Sequence, residues 1–164
     1  MRFQNDLVQQ APPGSRLLRQ AAGKLQDRFR AGGGSSVRDC TVDPDVQCDF
    51  TDLPFEDNSF SLVVFDPPHL TSVNETAWLA KKYGKLYDGW PQMLRSGFRE
   101  CMRVLKPDGV LIFKWNEFDI PADQVWDAIG EKPLFGHHSG KKSKTFWACF
   151  MKLDCAVGEQ TKMF

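Results

Sequence analysis

Ser61-Leu62-Val63-Val64-Phe65-Asp66-Pro67-Pro68-His69-Leu70 restricts this chain more than any other stretch, because a run of β-branched and aromatic residues stops at an acid and two prolines. The run predicts a buried strand whose carboxyl end carries a rigid polar corner. Two successive prolines fix their own φ and push Asp66 and Pro67 into extended geometry. Open α/β sheets bind ligands just beyond the carboxyl ends of their strands, so Asp66-Pro67-Pro68-His69 is the candidate active site. A fixed carboxylate beside a backbone carbonyl presents two acceptors that can hold both hydrogens of an exocyclic NH2 and turn its lone pair toward an electrophile. The plainer alternative is a strand ending in a Pro-Pro turn with a solvated acid.

Composition narrows the classes. At 164 residues the chain is expected to form a single domain, too short for a second, substrate-reading one. With 21 basic and 21 acidic side chains, no global field drives it onto a polyanion, and nucleic-acid contact has to be local. The five cysteines form no C-x-x-C pair, which points to a reducing compartment with neither a zinc site nor a disulfide framework. Met1-Arg2-Phe3-Gln4-Asn5-Asp6 lacks the apolar core of a signal peptide, and no run approaches the length of a membrane span. A cytoplasmic protein without membrane attachment or metal is expected.

Along the amino-terminal part, Leu7-Val8 can begin a short strand leading into the turn at Ala11-Pro12-Pro13-Gly14. A helix is then predicted from Ser15 to about Arg30, with Leu17, Leu18, Ala21, Leu25 and Phe29 on one side. Ala31-Gly32-Gly33-Gly34-Ser35-Ser36 is a flexible loop, without the lysine and flanking elements of a phosphate loop. Pro44 to Phe50 predicts a short strand ending at Asp49.

Farther on, Thr71 to Trp90 interleaves Lys81, Lys82 and Lys85 with Trp78, Tyr83, Tyr87 and Trp90, which suits either an unstacked base with its phosphates or a lid of packed rings and solvated lysines. Pro91 to Leu105 places Leu94, Phe98, Cys101, Met102 and Leu105 at helical spacing, a core-facing helix. Lys106-Pro107-Asp108-Gly109 breaks it, and Val110 to Trp115 follows as a buried strand. At that strand's end, Asn116 or Glu117 either lines the substrate pocket or forms a plain polar cluster. Pro121 to Ile129 predicts a short helix with Val125, Trp126 and Ile129 inward. Lys132 to Phe135 and Thr145 to Met151 read as paired strands around a loop in which Lys141, Lys142 and Lys144 either grip phosphate or cap a solvated hairpin. His137 and His138 suggest a metal only with a converging third ligand, and none is evident. The tail from residue 154 is expected to fray.

Three stretches together resemble a family. Asp66-Pro67-Pro68-His69 resembles the D/N/S-P-P-aromatic motif of class I methyltransferases that use S-adenosylmethionine (SAM) to modify amino groups, above all adenine-N6 and cytosine-N4 in nucleic acids. His69 stands where that family has Tyr, Phe or Trp. Asp49 to Phe60 resembles the family's D-x-x-x-L-P-F-x-D-x-S-F-D segment, with Ser61 replacing the last acid. Leu105-Lys106-Pro107-Asp108-Gly109 and the apolar run after it look like the family's helix-to-strand junction. Ala11, Gly14, Ser15 and Arg16 resemble a D-A-x-x-G-S-R cofactor loop found in a phage and bacterial subgroup, with Gln10 in the acid's place. The likeness covers residues 45 to 152 well and the first 44 poorly.

What the resemblance implies is an α/β, Rossmann-like fold: a mostly parallel sheet with an antiparallel last strand and helices on both faces. It implies SAM as cofactor, held by Gly14 in the loop, by Asp49 accepting from the adenine amine and by Phe50 packing on the adenine face. Asp43 is taken as the ribose-binding acid, with Asp27 and Asp39 as alternatives. Asp66 and the Pro67 carbonyl would orient the acceptor NH2, Pro68 would stiffen the corner, and His69 would cover the ring. Lys81, Tyr83, Asn116, Lys141, Lys142 and Lys144 are the candidate substrate contacts. The expected acceptor is adenine-N6, in DNA rather than RNA. Alternatives are another amine acceptor, in RNA, a protein amide or a small molecule, and a catalytically silent binding module of the same fold.

Overall fold

The computed structural model describes residues 45–74, 80 and 84–153, together with the backbone of 18–20, 28–30 and 37–39. In chain order the elements are β1 (Leu18–Gln20), β2 (Arg28–Arg30), β3 (Val37–Asp39), β4 (Val46–Cys48), β5 (Phe60–Phe65), α1 (Trp90–Val104), β6 (Leu105–Asn116), α2 (Ala122–Ile129), β7 (Phe135–His138) and β8 (Thr145–Met151). They make an α/β domain around a four-stranded mixed sheet in the order β5-β6-β8-β7. β5 runs parallel to β6, with α1 in the crossover, whereas β6–β8 and β8–β7 are antiparallel. Among the described residues, parallel pairing occurs at β5–β6 and in the separate β1–β4 pair. Strands joined by a short loop, as β7 and β8 are, can only pair antiparallel.

Alternation along the strands sorts the two faces. Val63 and Phe65, Leu111, Phe113 and Trp115, and Ala148 and Phe150 all join the buried core. Their registers, Val63 with Leu111, Phe65 with Phe113, Phe113 with Ala148 and Leu111 with Phe150, place them on one face. α1 buries Leu94, Phe98 and Cys101 there, and α2 buries Ala122, Val125 and Ile129. Ring contacts tie both helices to that face: Phe98 to Phe150 at 5.0 Å, and Trp126 to Phe113 at 5.3 Å and to Phe150 at 5.6 Å. Among the described residues, α1 and α2 both lie on this one face.

α1 starts after Gly89, whose φ of 89° is the left-handed conformation glycine tolerates, with Pro91 in the first turn. Its last turn holds the 49–60 segment. The Arg103 guanidinium donates to the carbonyls of Phe55 (2.8 Å) and Leu53 (2.9 Å) and to Asp57 (2.7 Å), while Glu100 accepts from the Leu53 amide (2.8 Å). Lys106-Pro107-Asp108-Gly109 bulges out of β6 rather than preceding it. Phe60 faces Leu105 and Leu62 faces Val110, so Lys106 to Gly109 stand opposite Ser61 alone and the excess residues leave the ladder on one side only. Asp108 takes φ 60°, and Lys152 closes the excursion with backbone bonds to Asp108 (2.8 Å) and Gly109 (2.9 Å).

The helix expected from Ser15 to Arg30 is not what forms: β1 and β2 lie within that range. Arg28-Phe29-Arg30 alternates with period two, and it pairs antiparallel with β3 so that Arg28 faces Asp39. Gly23 also weakens a helix through that window by about 1 kcal/mol relative to alanine. β1 instead pairs in parallel with β4, Leu18 facing Val46.

Candidate active site at the carboxyl end of β5

The corner after β5 is stiff for reasons beyond its prolines. Pro67, Pro68 and Leu70 are buried. The Leu86 amide donates to the Leu70 carbonyl (2.8 Å), and a Cβ on Gly84 would stand 2.9 Å from Pro68 Cγ, so the returning chain lies directly on the proline ring. Asp119 grips the other side. Its carboxylate accepts from the Thr71 amide (2.7 Å), the Ser72 amide (3.0 Å) and the Ser72 hydroxyl (2.7 Å). Burial pushes Asp119 upward, but the bonds from Ser72 and Thr71 outweigh it and hold the acid below its ordinary value.

Asp66 has a partner that sequence reasoning missed. Phe65 pairs with Phe113, so the residues that follow stand side by side, and Lys114 Nζ lies 2.5 Å from Asp66 Oδ2. Both side chains are largely buried, Lys114 18% and Asp66 7% exposed. The available signal was a lone lysine alternating with apolar residues in Val110 to Trp115, which becomes informative only once the register of the two strands is known. Trp147, directly opposite Lys114 on β8, carries its ring 5.8 Å from the ammonium. His69 is half-buried, and its ring meets Trp115 edge-on at 6.1 Å. Burial and then the Lys114 charge lower its pKa, against the opposing pull of the Pro67 carbonyl and Asp119, which favours the neutral imidazole.

β4 ends beside this corner. The Phe50 and Phe65 rings meet edge-on at 5.3 Å, drawing the carboxyl ends of β4 and β5 together. Asp49 is exposed, and its Oδ1 accepts from the Thr51 amide (2.9 Å) and hydroxyl (2.8 Å). Phe50 requires a correction: it is 4% exposed, and a Cβ on Gly97 would lie 2.4 Å from its ring, so it packs into the core against α1 and presents no face to a cofactor.

At the end of β6, Asn116 holds local structure, donating to the Thr145 hydroxyl (3.3 Å) and accepting from the Phe118 amide (3.0 Å). Glu117 bonds the Ala122 amide at the start of α2 (2.9 Å) and the His138 ring. Lys141, Lys142 and Lys144 are exposed on the loop before β8, with Lys144 Nζ 4.7 Å over the Phe118 ring. Because Lys114 faces Trp147 and Asn116 faces Thr145, this loop leaves the sheet at the same edge as Asp66. Asp66, Pro67, Pro68, His69, Asn116 and the loop lysines thus gather at one edge. Of the ring-and-lysine stretch, Lys85 stands 5.8 Å over the exposed Tyr87 ring. Gly14, Asp43, Lys81 and Tyr83 fall outside the described residues.

The class that fold and corner define is an α/β domain with an acid-proline corner at the carboxyl end of a strand that begins a parallel crossover. Compared with known proteins, the chain matches no family model and no curated sequence. No described helix is long and apolar enough to cross a membrane, and no group of three or more His, Cys, Asp or Glu that could hold a metal ion occurs among the described residues.

Proposed function

We propose that this chain is a SAM-dependent methyltransferase that methylates an exocyclic amino group, with adenine-N6 in DNA as the foremost acceptor. The observation that carries the reading is the Asp66 carboxylate, held at the strand end by two buried prolines, next to the Pro67 carbonyl and the neutral His69 ring. For the cofactor, the exposed Asp49 carboxylate at the adjoining end of β4 fits an amine of adenine, since a carboxylate has about four acceptor positions and its bonds to Thr51 leave capacity. The buried Phe50 ring does not fit as an adenine platform. SAM, when bound, supplies an electrophilic methyl group. Asp66 and the Pro67 carbonyl accept the two N–H bonds of the acceptor and so aim its lone pair, which supplies orientation rather than base strength. Asp66 is also the group within reach of the proton that the methylated amine sheds. His69 covers the acceptor ring, and the loop lysines at the same edge offer charge to a phosphate chain.

One observation favours the silent binding module: Lys114 already occupies Asp66 Oδ2, which is what a purely structural ion pair looks like. Calorimetry with SAM and its demethylated product separates the two readings, because absence of heat from both ligands at high micromolar concentration removes the enzyme. Tritium transfer from labelled SAM to DNA, RNA and cell extract then identifies the acceptor. Asp66→Ala is expected to cut transfer by about a thousandfold while SAM affinity stays within about twofold. Loss of both would assign Asp66 to cofactor binding instead. Replacing Lys141, Lys142 and Lys144 with alanine should weaken binding to an oligonucleotide and flatten its salt dependence, and an unchanged slope takes the loop out of the interface.

A further inference from the structure

We infer that Lys114 is a specificity-determining residue: its ammonium, bonded to Asp66, turns away acceptors whose amine is itself protonated and leaves the corner to neutral, conjugated NH2 groups. The inference rests on the methyl-transfer reading above and names the residue that restricts which amines the corner accepts.

A buried carboxylate alone would select a cation. An alkylammonium carries a full charge and strong donors, so an unpaired Asp66 would prefer a lysine-like amine to the weakly donating NH2 of a heteroaromatic ring or an amide. Lys114 reverses that preference. Its Nζ stands 2.5 Å from Oδ2, and any amine bonded to the same carboxylate comes within a few ångströms of it. Two cations at that separation repel strongly where side chains are only 18% and 7% exposed, since solvent and salt screen them poorly. A neutral NH2 donates to the carboxylate without that repulsion. The strands keep the lysine in place: Lys114 is fixed beside Asp66 by the β5–β6 register, and the Trp147 ring opposite it on β8 stands 5.8 Å from its ammonium.

The test uses n-butylammonium chloride, titrated calorimetrically into the full chain without SAM. Wild type and Lys114→Arg should give no saturable binding in the millimolar range, whereas Lys114→Met should bind at least about tenfold more tightly, and Asp66→Asn added to Lys114→Met should abolish the gain. Equal affinities for wild type and Lys114→Met, or no binding by a folded Lys114→Met, overturn the inference. Should Lys114→Met not fold, Lys114→Gln, whose amide still donates to Asp66, carries the same expectation. In the transfer assay, the ratio of kcat/KM for a deoxyadenosine oligonucleotide over that for n-butylamine should fall at least about tenfold in Lys114→Met, and an unchanged ratio counts equally against it. Failure of SAM to bind removes the methyl-transfer reading but leaves the calorimetric result standing.

Discussion

Arg103 holds together the segment that leads into the corner. It reaches Leu53, Phe55 and Asp57 across the chain and Glu100 one turn back, with a side chain 31% exposed. Arg103→Met leaves the Leu53 and Phe55 carbonyls without this donor, and about 2 kcal/mol of stability should be lost in urea denaturation. Asp57→Ala, which removes only the exposed end of the network, should cost well under 1 kcal/mol. The acid, prolines and histidine of the corner were legible in the sequence because proline restricts its neighbours whatever the fold. Lys114 was not legible, since its partner is set by strand register. Phe50 was misread for a related reason. A resemblance can supply the ring beside the acid, but only the close approach of Gly97 shows that this ring points into the core.

Elements were legible where their period was long and unbroken. The apolar positions of α1 and α2 repeat every third or fourth residue, and both helices form within a residue or so of the expected bounds. The three-residue strands β1, β2 and β3 were not, because so short a segment holds barely one alternation and its pairing partner lies elsewhere in the chain. α1 also contains a position where helix propensity and packing oppose each other. At Gly97 an alanine Cβ would meet Phe50 at 2.4 Å and Phe65 at 3.0 Å, the two rings that join the ends of β4 and β5. Gly97→Ala gains about 1 kcal/mol of helix propensity and forfeits about 1–3 kcal/mol to overpacking. The expected result is a net loss in thermal denaturation with a changed near-ultraviolet signal from the displaced rings, and a stabilised variant would mean that Phe50 can yield.

For the whole molecule, acid should act in two stages. Burial and the Lys114 charge lower the His69 pKa, so below its ordinary value of 6.5 the unfolded chain takes up a proton that the folded one resists. Stability therefore declines as the pH falls from 6.5 toward the folded value, and His69→Gln should flatten that limb in urea midpoints measured against pH. Glu100 and Asp119 act later. The Arg103 hydrogen bond holds Glu100 below 4.5 despite burial, and the bonds from Ser72 and Thr71 hold Asp119 below 3.8. Their contribution is fully present above those values and is lost as pH falls through the folded ones. The α/β class was legible from the order of elements, but the sharing of one sheet face by α1 and α2 was not, because no local pattern says which face a helix crosses to. The bulge at Lys106–Gly109 has a consequence for how this domain tolerates change. A residue gained or lost inside that slack is absorbed before the ladder resumes at Val110, whereas one gained between Val110 and Lys114 turns every later side chain to the opposite face and sets the Phe113 phenyl ring, not an ammonium, against the acid. Length variation on one side of a single valine thus spares the Asp66–Lys114 pair, and on the other side it breaks that pair.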